Sequence, residues 1–273
     1  MNIRLICMDL DGTLFADKSE IPDINIEALK ECSRRGIRLA LVSGRNAPFI
    51  KRVAARIGVP CAIVSANGAH IEETQEGPIL YEGTFVRDEW LKVMNAMTES
   101  GVNFEVYTRD VNYVINPELT TERHKKSLDM YVKMGDVIAE YDIDKLYAEA
   151  PEHTFKFVAF LKNEESFKKT AAILDANQIR HCSSAGENIE VMPTGVDKGH
   201  ALLILADHFG IDRNETMAFG DFTNDLDMLK ASGHPVAMGN AVDEVKRIAE
   251  IIAPVNTEGG VGRVIFEKVL KKE

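Results

Sequence analysis

The chain has 273 residues, 45% of them hydrophobic, which suits a soluble globular protein of one large or two modest domains. Its formal net charge of -11 argues against a general nucleic-acid or anionic-membrane binder, which would show a basic face. Asp9 and Asp11 interrupt the N-terminal apolar stretch, so it does not resemble a signal peptide, and no apolar run approaches the roughly 20 residues of a membrane span. The four cysteines lack metal-ligand or redox spacing. We therefore expect a reduced, cytoplasmic location.

The first fifteen residues carry the densest pattern. Residues 5–8 form a continuous apolar run, which is typical of a buried strand. Asp9 and Asp11 follow where the run ends, and Gly12 marks a sharp turn. Two like charges beside a buried strand are costly to desolvate, so they indicate a cation or a reaction that uses them. The alternative is a solvated turn, in which Asp and Gly are ordinary residues.

Alternating helices and strands follow. The pattern predicts a helix over 22–35, a strand over 37–42, a helix over 47–57, a strand over 61–64 and a hairpin over 70–81. Glycines 36 and 58 end the two helices, as left-handed caps do. Such alternation is typical of a parallel sheet covered by helices, with right-handed crossovers.

The alternation is lost from about residue 83. The pattern predicts a helix with Trp90, Met94 and Met97 on its buried face, strands over 102–108 and 111–115 joined at Arg109-Asp110, a helix over 118–131, a strand over 154–161, a helix over 164–176, and strands over 180–183 and 189–192. Two strands pair here before a helix intervenes. This stretch is therefore predicted to be a separate α+β domain inserted into the first.

The alternation returns from residue 193. The pattern predicts a helix over 198–209, a strand over 216–220, a helix over 225–231, a strand over 235–238, and helices over 242–249 and 261–270. The predicted fold is α/β: a Rossmann-like parallel-sheet core from 1–82 and 193–273, with an inserted α+β domain over 83–192. Ligands bind at the carboxyl ends of parallel strands, and Asp9, Ser43 and Asp221 each follow a predicted strand. We expect these three residues to meet in space.

The run Asp9-Leu10-Asp11-Gly12-Thr13-Leu14 resembles the first motif of the haloacid dehalogenase superfamily of phosphatases. The other motifs of that family are matched in order by Val42-Ser43-Gly44-Arg45, Lys198-Gly199 and Gly220-Asp221-Phe222-Thr223-Asn224-Asp225. Asn67-Gly68-Ala69 and the lengths between motifs are similar to the Cof-like branch, with a type IIB cap. The resemblance covers essentially the whole chain.

This resemblance implies a Mg²⁺-dependent phosphatase that hydrolyses a small phosphate monoester, such as a sugar phosphate, a nucleotide or a cofactor phosphate, through an aspartyl-phosphate. It makes Asp9 the nucleophile and Asp11 the general acid and then the base. Asp9, Asp221 and the backbone carbonyl of Asp11 would hold the metal. Asp225 would be an outer metal partner, or simply an acid favoured at a helix N-terminus.

The resemblance assigns the substrate phosphate to Ser43, Gly44, Lys198 and Asn224. Lys198 opens a predicted helix, whose N-terminus already favours anions. Arg45 is expected either to pair with the substrate or to be a solvated charge. Asn67 and Gly68 either line the site or form a plain turn.

Two other functions remain open at this point. A phosphomutase of related fold would pass the phosphoryl group to a second hydroxyl of a sugar phosphate rather than to water. A non-enzymatic ligand-binding regulator would keep the fold without the chemistry. By resemblance the core is catalytic and the cap selects the substrate, but the sequence names neither the substrate nor the oligomeric state.

Overall fold

The computed structural model describes residues 1–17, 20–109, 111–149, 151–184 and 186–271. The strands are β1 (Leu5–Met8), β2 (Arg38–Val42), β3 (Ala62–Ser65), β4 (His70–Glu72), β5 (Ile79–Glu82), β6 (Asn103–Tyr107), β7 (Val111–Ile115), β8 (Ile138–Glu140), β9 (Lys156–Phe160), β10 (Asn188–Val191), β11 (Thr216–Gly220), β12 (His234–Ala237) and β13 (Ile251–Ile252). The helices are α1 (Asp23–Arg34), α2 (Ala47–Ile57), α3 (Arg87–Ser100), α4 (Glu122–Lys133), α5 (Ile143–Glu149), α6 (Glu164–Ala176), α7 (Lys198–His208), α8 (Leu226–Ala231), α9 (Asp243–Ile248) and α10 (Gly260–Val264).

The chain forms two compact units. The first comprises Met1–Tyr81 and Asp197–Glu273, and the second comprises Glu82–Val196. The first unit is built on an eight-stranded sheet in the order β13-β12-β11-β1-β2-β3-β4-β5. The strands from β13 to β3 run parallel, and β4 runs antiparallel to β3. The central strand β1 is buried along its whole length, as expected of a parallel strand covered on both faces.

The second unit holds a five-stranded sheet in the order β10-β9-β6-β7-β8, in which the β7–β8 pair alone is parallel among the described strands. One face packs against helices α3 and α6 in an apolar core. Trp90, Met94 and Met97 all lie in that core, which confirms the predicted stripe. The indole of Trp90 donates to Thr154 Oγ1 at 2.9 Å. The predicted α/β core with an α+β insert is therefore confirmed.

Two predicted elements differ from the structure. The strand predicted over 180–183 is reduced to one bridge between Cys182 and Glu190. Ser184 donates its backbone N–H to the Asn188 side chain, and such local bonds compete with a sheet ladder. The helix predicted over 118–131 begins instead at Glu122, because Thr121 caps it by accepting from the His124 backbone N–H.

Several short elements had no counterpart in the prediction, namely β8, α5 and β13. The hairpin turn predicted at Arg109-Asp110 lies partly outside the described residues, since Asp110 is not among them. None of the helices in the described ranges is both long and apolar enough to cross a bilayer. The cytoplasmic location stays a prediction.

The segment after β1 forms one wide helical turn over Leu10–Leu14. Gly12 interrupts its helical geometry with a φ of +82°, in the left-handed region that favours glycine. A Cβ on Gly12 would lie 2.2 Å from Asp221 Oδ2. Gly12 therefore serves both the local backbone geometry and the close approach of the β11 carboxyl end.

We expect Gly12→Ala to destabilise the protein by about 2–4 kcal/mol, since left-handed backbone strain adds to overpacking against Asp221. Gly36→Ala is the matched control, because Gly36 has a φ of +77° and a Cβ added to it would meet no atom within 4 Å. The control should lose only about 1–2 kcal/mol. Denaturant unfolding measures both values. Equal losses would contradict the account of Gly12.

Burial raises the pKa of the Cys7, Cys32 and Cys61 thiols to about 12, so these groups stay protonated at neutral pH. Cys182 is partly exposed. We predict that Ellman's reagent at pH 8 labels Cys182 rapidly in the native protein and the other three slowly. Denaturant should expose all four thiols to the reagent. Rapid labelling of Cys7 in the native protein, read by peptide mass spectrometry, would contradict the burial of β1.

Candidate active site

The carboxyl ends of neighbouring parallel strands bring the predicted residues together. Asp9 follows β1, Ser43 follows β2, and Asp221 follows β11, and β1 pairs with both other strands. The Asp9 backbone N–H donates to Phe219 O at 3.1 Å, which extends the β1–β11 ladder to the start of the site. The expected meeting of these strand ends is therefore found in the first unit.

Lys198 lies at the centre of this group. Its side chain is completely buried at the first residue of α7. The ammonium donates to Asp9 Oδ1 at 2.6 Å and to Asp225 Oδ1 at 2.7 Å. Burial by itself lowers the pKa of Lys198, but the carboxylates of Asp225 and Asp9 outweigh it, and the net shift is upward. Lys198 is therefore a cation at neutral pH that joins two carboxylates.

Asp225 is held through both carboxylate oxygens. Oδ1 accepts from Lys198, and Oδ2 accepts from the backbone N–H groups of Asp221 and Phe222 at 2.9 and 3.1 Å. The carboxylate thus fixes the loop after β11 as well as the lysine. The bond to Lys198 is one that an outer partner of the site would make, and the bond from the Phe222 N–H is one that an acid at a helix N-terminus makes, so the geometry fits both roles.

Asp221 lies beside the turn that carries Asp11. The Thr13 hydroxyl donates to Asp221 Oδ1 at 2.8 Å. Burial first, and then the Asp225 carboxylate, raise the pKa of Asp221 from its usual 3.8 to about 7. The hydrogen bond from Thr13 and the charge of Lys198 oppose this rise without cancelling it.

The site holds more negative charge than its lysine balances. Burial raises the pKa of Asp9 well above its usual range, and the carboxylates of Asp225 and Asp221 raise it further against the opposing effect of Lys198. One oxygen from each of these three carboxylates lies within 4.8 Å of the others. When all three are ionised, three carboxylates against one ammonium leave two negative charges, and hard oxygen donors suit a divalent cation. The donor set therefore fits a divalent metal ion.

Ser43 is buried where β2 ends. Its hydroxyl oxygen accepts from the Arg45 backbone N–H at 3.2 Å, so its hydroxyl hydrogen can be donated elsewhere. Gly44 is partly exposed in the bend between them. The Arg45 guanidinium donates from Nε to Asp11 Oδ2 and from Nη2 to Asp11 Oδ1, both at 2.7 Å. Arg45 is therefore an ion-pair partner of Asp11 rather than an unpaired solvated charge.

Asn67 and Gly68 are buried and packed into the site's framework. The Asn67 backbone N–H donates to Ser43 O at 3.0 Å, and the residue has a φ of +57°. A Cβ on Gly68 would lie 2.4 Å from Asp197 O, next to the start of α7. The segment is therefore more than a plain turn, because it links the ends of β2 and β3 to the helix that carries Lys198.

Asn224 is buried, 9% exposed, in the turn between Asp221 and α8. Two further residues of the site were not singled out by sequence reasoning. Thr13 binds Asp221, although it belongs to the first motif. Asn240 donates from Nδ2 to Gly12 O at 2.8 Å. Its signal in the sequence is a polar residue just after the carboxyl end of a parallel strand, here β12.

The profile of the haloacid dehalogenase-like hydrolase family matches residues 6–265. The 5-amino-6-(5-phospho-D-ribitylamino)uracil phosphatase YwtE of Bacillus subtilis (strain 168) is 28% identical over 285 aligned residues, 96% of this chain and 97% of that protein. The structure of a haloacid dehalogenase-like hydrolase from B. subtilis superposes with a TM-score of 0.85 at 27% identity, covering 98% of this chain and 100% of that chain. The HAD subclass IIB sugar phosphatase BT4131 shares the fold, with a TM-score of 0.81 at 23% identity over 97% of this chain and 98% of that chain. The chain therefore belongs to the haloacid dehalogenase-like hydrolase family, and it is a Cof-like phosphatase of that superfamily, as its motifs predicted.

Proposed function

We propose that the chain hydrolyses a small phosphate monoester through a phosphorylated Asp9. The observation that carries this proposal is the contrast between two carboxylates two residues apart. Asp9 is buried and bound to Lys198, whereas the Asp11 side chain is 52% exposed and bound to Arg45. A buried, cation-bound carboxylate suits a nucleophile, and an accessible one suits proton exchange with substrate and water.

Mg²⁺ is the proposed metal. The carboxylates of Asp9 and Asp221 and the backbone carbonyl of Asp11 would hold it, and Asp225 would support it from outside through Lys198 and the β11 loop. When bound, the ion would offset the negative charge that a phosphoryl group brings to an attacking carboxylate.

The first step transfers the phosphoryl group to the enzyme. An Asp9 carboxylate oxygen forms a bond to phosphorus while the bond from phosphorus to the ester oxygen breaks. Asp11 carries its proton on an oxygen lone pair that Arg45 does not engage and gives it to the leaving alkoxide, which is a poor leaving group without it. Ser43, the backbone at Gly44, Lys198 and Asn224 bind the phosphate oxygens.

The second step returns the enzyme to its starting state. Asp11, now a carboxylate, takes a proton from water as the water oxygen attacks phosphorus. The bond between phosphorus and Asp9 breaks, and inorganic phosphate leaves. Lys198 stays charged throughout, so it balances the carboxylate that is regenerated.

The substrate is proposed to be an alkyl phosphate, because a proton donor matters most for a poor leaving group. Catalysis is assigned to residues 1–82 and 193–273, and substrate selection to the cap, 83–192. The proposed recognition surface is the face of that sheet opposite its apolar core, where buried polar groups are paired: Lys156 with Glu190, and Glu105 with His124. The name of the B. subtilis relative is that of an enzyme acting on a ribityl phosphate, which is also an alkyl phosphate.

Phosphate release from a panel of esters tests this function. The panel contains glucose 6-phosphate, ribose 5-phosphate, adenosine monophosphate, flavin mononucleotide, pyridoxal phosphate and p-nitrophenyl phosphate. We expect Asp9→Asn to lower kcat at least about 10⁴-fold on every ester that the native protein hydrolyses, because the nucleophile is lost. Asp207→Asn removes the same charge from the exposed face of α7 and should leave kcat unchanged.

Full activity in Asp9→Asn would contradict the nucleophile assignment. Absence of phosphate release by the native protein, with transfer to a second hydroxyl of a sugar phosphate, would replace hydrolysis by a mutase reaction.

Metal binding is tested by thermal unfolding in chelator and in Mg²⁺. An ion at about 100 times its Kd should stabilise the native protein by about 2.7 kcal/mol, or on the order of 5–10 °C in Tm. We expect Asp221→Asn to lose most of this increase, because a carboxylate ligand is lost. Asp207→Asn should keep it.

The pH dependence in chelator follows from the raised pKa of Asp221. A carboxyl whose folded pKa lies above its unfolded pKa destabilises the fold as it ionises, so the Tm of the metal-free native protein should fall between about pH 4 and pH 7 from this group. The Tm of Asp221→Asn should fall less over the same range, and at pH 8 in chelator this variant should be at least as stable as the native protein. A steeper fall in the variant would contradict the burial of an uncompensated charge at Asp221.

A further inference from the structure

An aromatic contact between Phe15 and Phe49 links the two segments that carry the Asp11–Arg45 ion pair. The Arg45 guanidinium carbon lies 4.3 Å from the centroid of the Phe49 ring, over its face. Phe49 lies in the first turns of α2, shortly after Arg45, and its ring meets Phe15 edge-on with centroids 6.3 Å apart. Phe15 ends the turn that carries Asp11. The Phe15–Phe49 contact therefore joins the segment that carries Asp11 to the helix that follows Arg45.

The backbone of Arg45 is fixed as well. Its N–H donates to Ser43 Oγ at 3.2 Å, and its carbonyl accepts from the Ala66 N–H at 3.1 Å. The guanidinium thus starts from a held backbone and rests on a packed ring. A planar fork in that position fixes the plane of the carboxylate as well as its distance, which a lysine ammonium cannot do.

We propose that Arg45 is the positioning residue of the acid–base carboxylate, and that it sets the direction in which the exposed Asp11 side chain presents its oxygens. The inference rests on the proposed role of Asp11. Proton transfer needs the donor and acceptor atoms within about 2.6–3.2 Å. An exposed carboxylate without a fixed partner samples several rotamers, and a displacement of about 1 Å costs about 100-fold in rate.

Leaving-group chemistry separates this role from phosphate binding. The p-nitrophenolate group leaves without a proton, whereas an alkoxide needs one. We expect Arg45→Gln to lower kcat/KM about 100-fold for the best alkyl phosphate of the panel, and less than about threefold for p-nitrophenyl phosphate. Equal losses for both esters would overturn the proposal, because they would show that Arg45 binds the phosphate itself. Unchanged values for both would also overturn it.

Arg52→Gln is the matched control. Arg52 lies on α2 and contacts the same Phe49 ring, with its guanidinium carbon 5.8 Å from the centroid. Its replacement removes the same charge near the same ring, and both kcat/KM values should stay within about twofold of native. A selective loss for the alkyl ester in this variant would overturn the assignment to Arg45.

Arg45→Lys keeps the charge without the fork, so the alkyl ester should regain only part of its kcat/KM. Complete recovery would show that charge alone suffices and would overturn the positioning role. Combining Arg45→Gln with Asp11→Asn should add less than about twofold to the loss from Asp11→Asn alone, because one residue acts through the other. If the losses from the two single substitutions multiplied in the double variant, Arg45 would not act through Asp11.

The same series tells a failure of the inference from a failure of the proposed function. If Asp11→Asn does not lower kcat/KM for the alkyl ester more than for p-nitrophenyl phosphate, Asp11 is not the proton donor. The proposed function and the role of Arg45 are then both overturned. If Asp11→Asn is selective and Arg45→Gln is not, only the role of Arg45 is wrong. The Tm of each variant should stay close to the native value, because an ion pair with one exposed partner contributes little to stability. A native Tm excludes loss of fold as the cause.

Discussion

A completely buried lysine between two carboxylates is the constraint on which the first unit depends. Removing an ammonium and two carboxylates from water costs several kcal/mol per ion, and only close pairing offsets it. The partners of Lys198 are Asp9 and Asp225, which come from opposite ends of the chain. This cluster therefore forms only when β1, the start of α7 and the loop after β11 are assembled together. Residues 82–196 lie between these parts in sequence without interrupting the sheet.

The same region gives two neighbouring carboxylates different environments. Lys198 holds Asp9 in a buried setting, and Arg45 holds Asp11 in an exposed one. The backbone is extended at Asp9 (φ -68°, ψ 163°) before the turn begins, and the positive φ of Gly12 lies directly after Asp11. The hydroxyl of the next residue, Thr13, donates a hydrogen bond to Asp221. One short motif thus supplies the proposed nucleophile, the proposed proton carrier and a contact to the carboxyl end of β11, each with its own partner.

Local pattern was enough to predict the β/α alternation of the core and the residues at its strand ends, because continuous apolar runs and glycine caps are local signals. Prediction from local pattern failed where a residue's partner is far away in sequence, and where an element contains only two or three residues. The partner of Arg45 lies 34 residues away, so spacing alone left its role open. Strands β8 and β13 span three and two residues, too few for a period to show. The strand predicted over 180–183 forms only the bridge between Cys182 and Glu190, and the next residue, Ser184, donates its backbone N–H to the Asn188 side chain instead of to a strand.

The most direct test of the account is to trap the phosphorylated nucleophile. Asp11→Asn should still accept a phosphoryl group from p-nitrophenyl phosphate, since that leaving group needs no proton, but it should release the group slowly because the base is lost. Acid quench, borohydride reduction and peptide mass spectrometry should then find homoserine at position 9. The absence of reduction at position 9 while p-nitrophenolate is released, or reduction at another carboxylate, would contradict the assignment of Asp9 as the nucleophile.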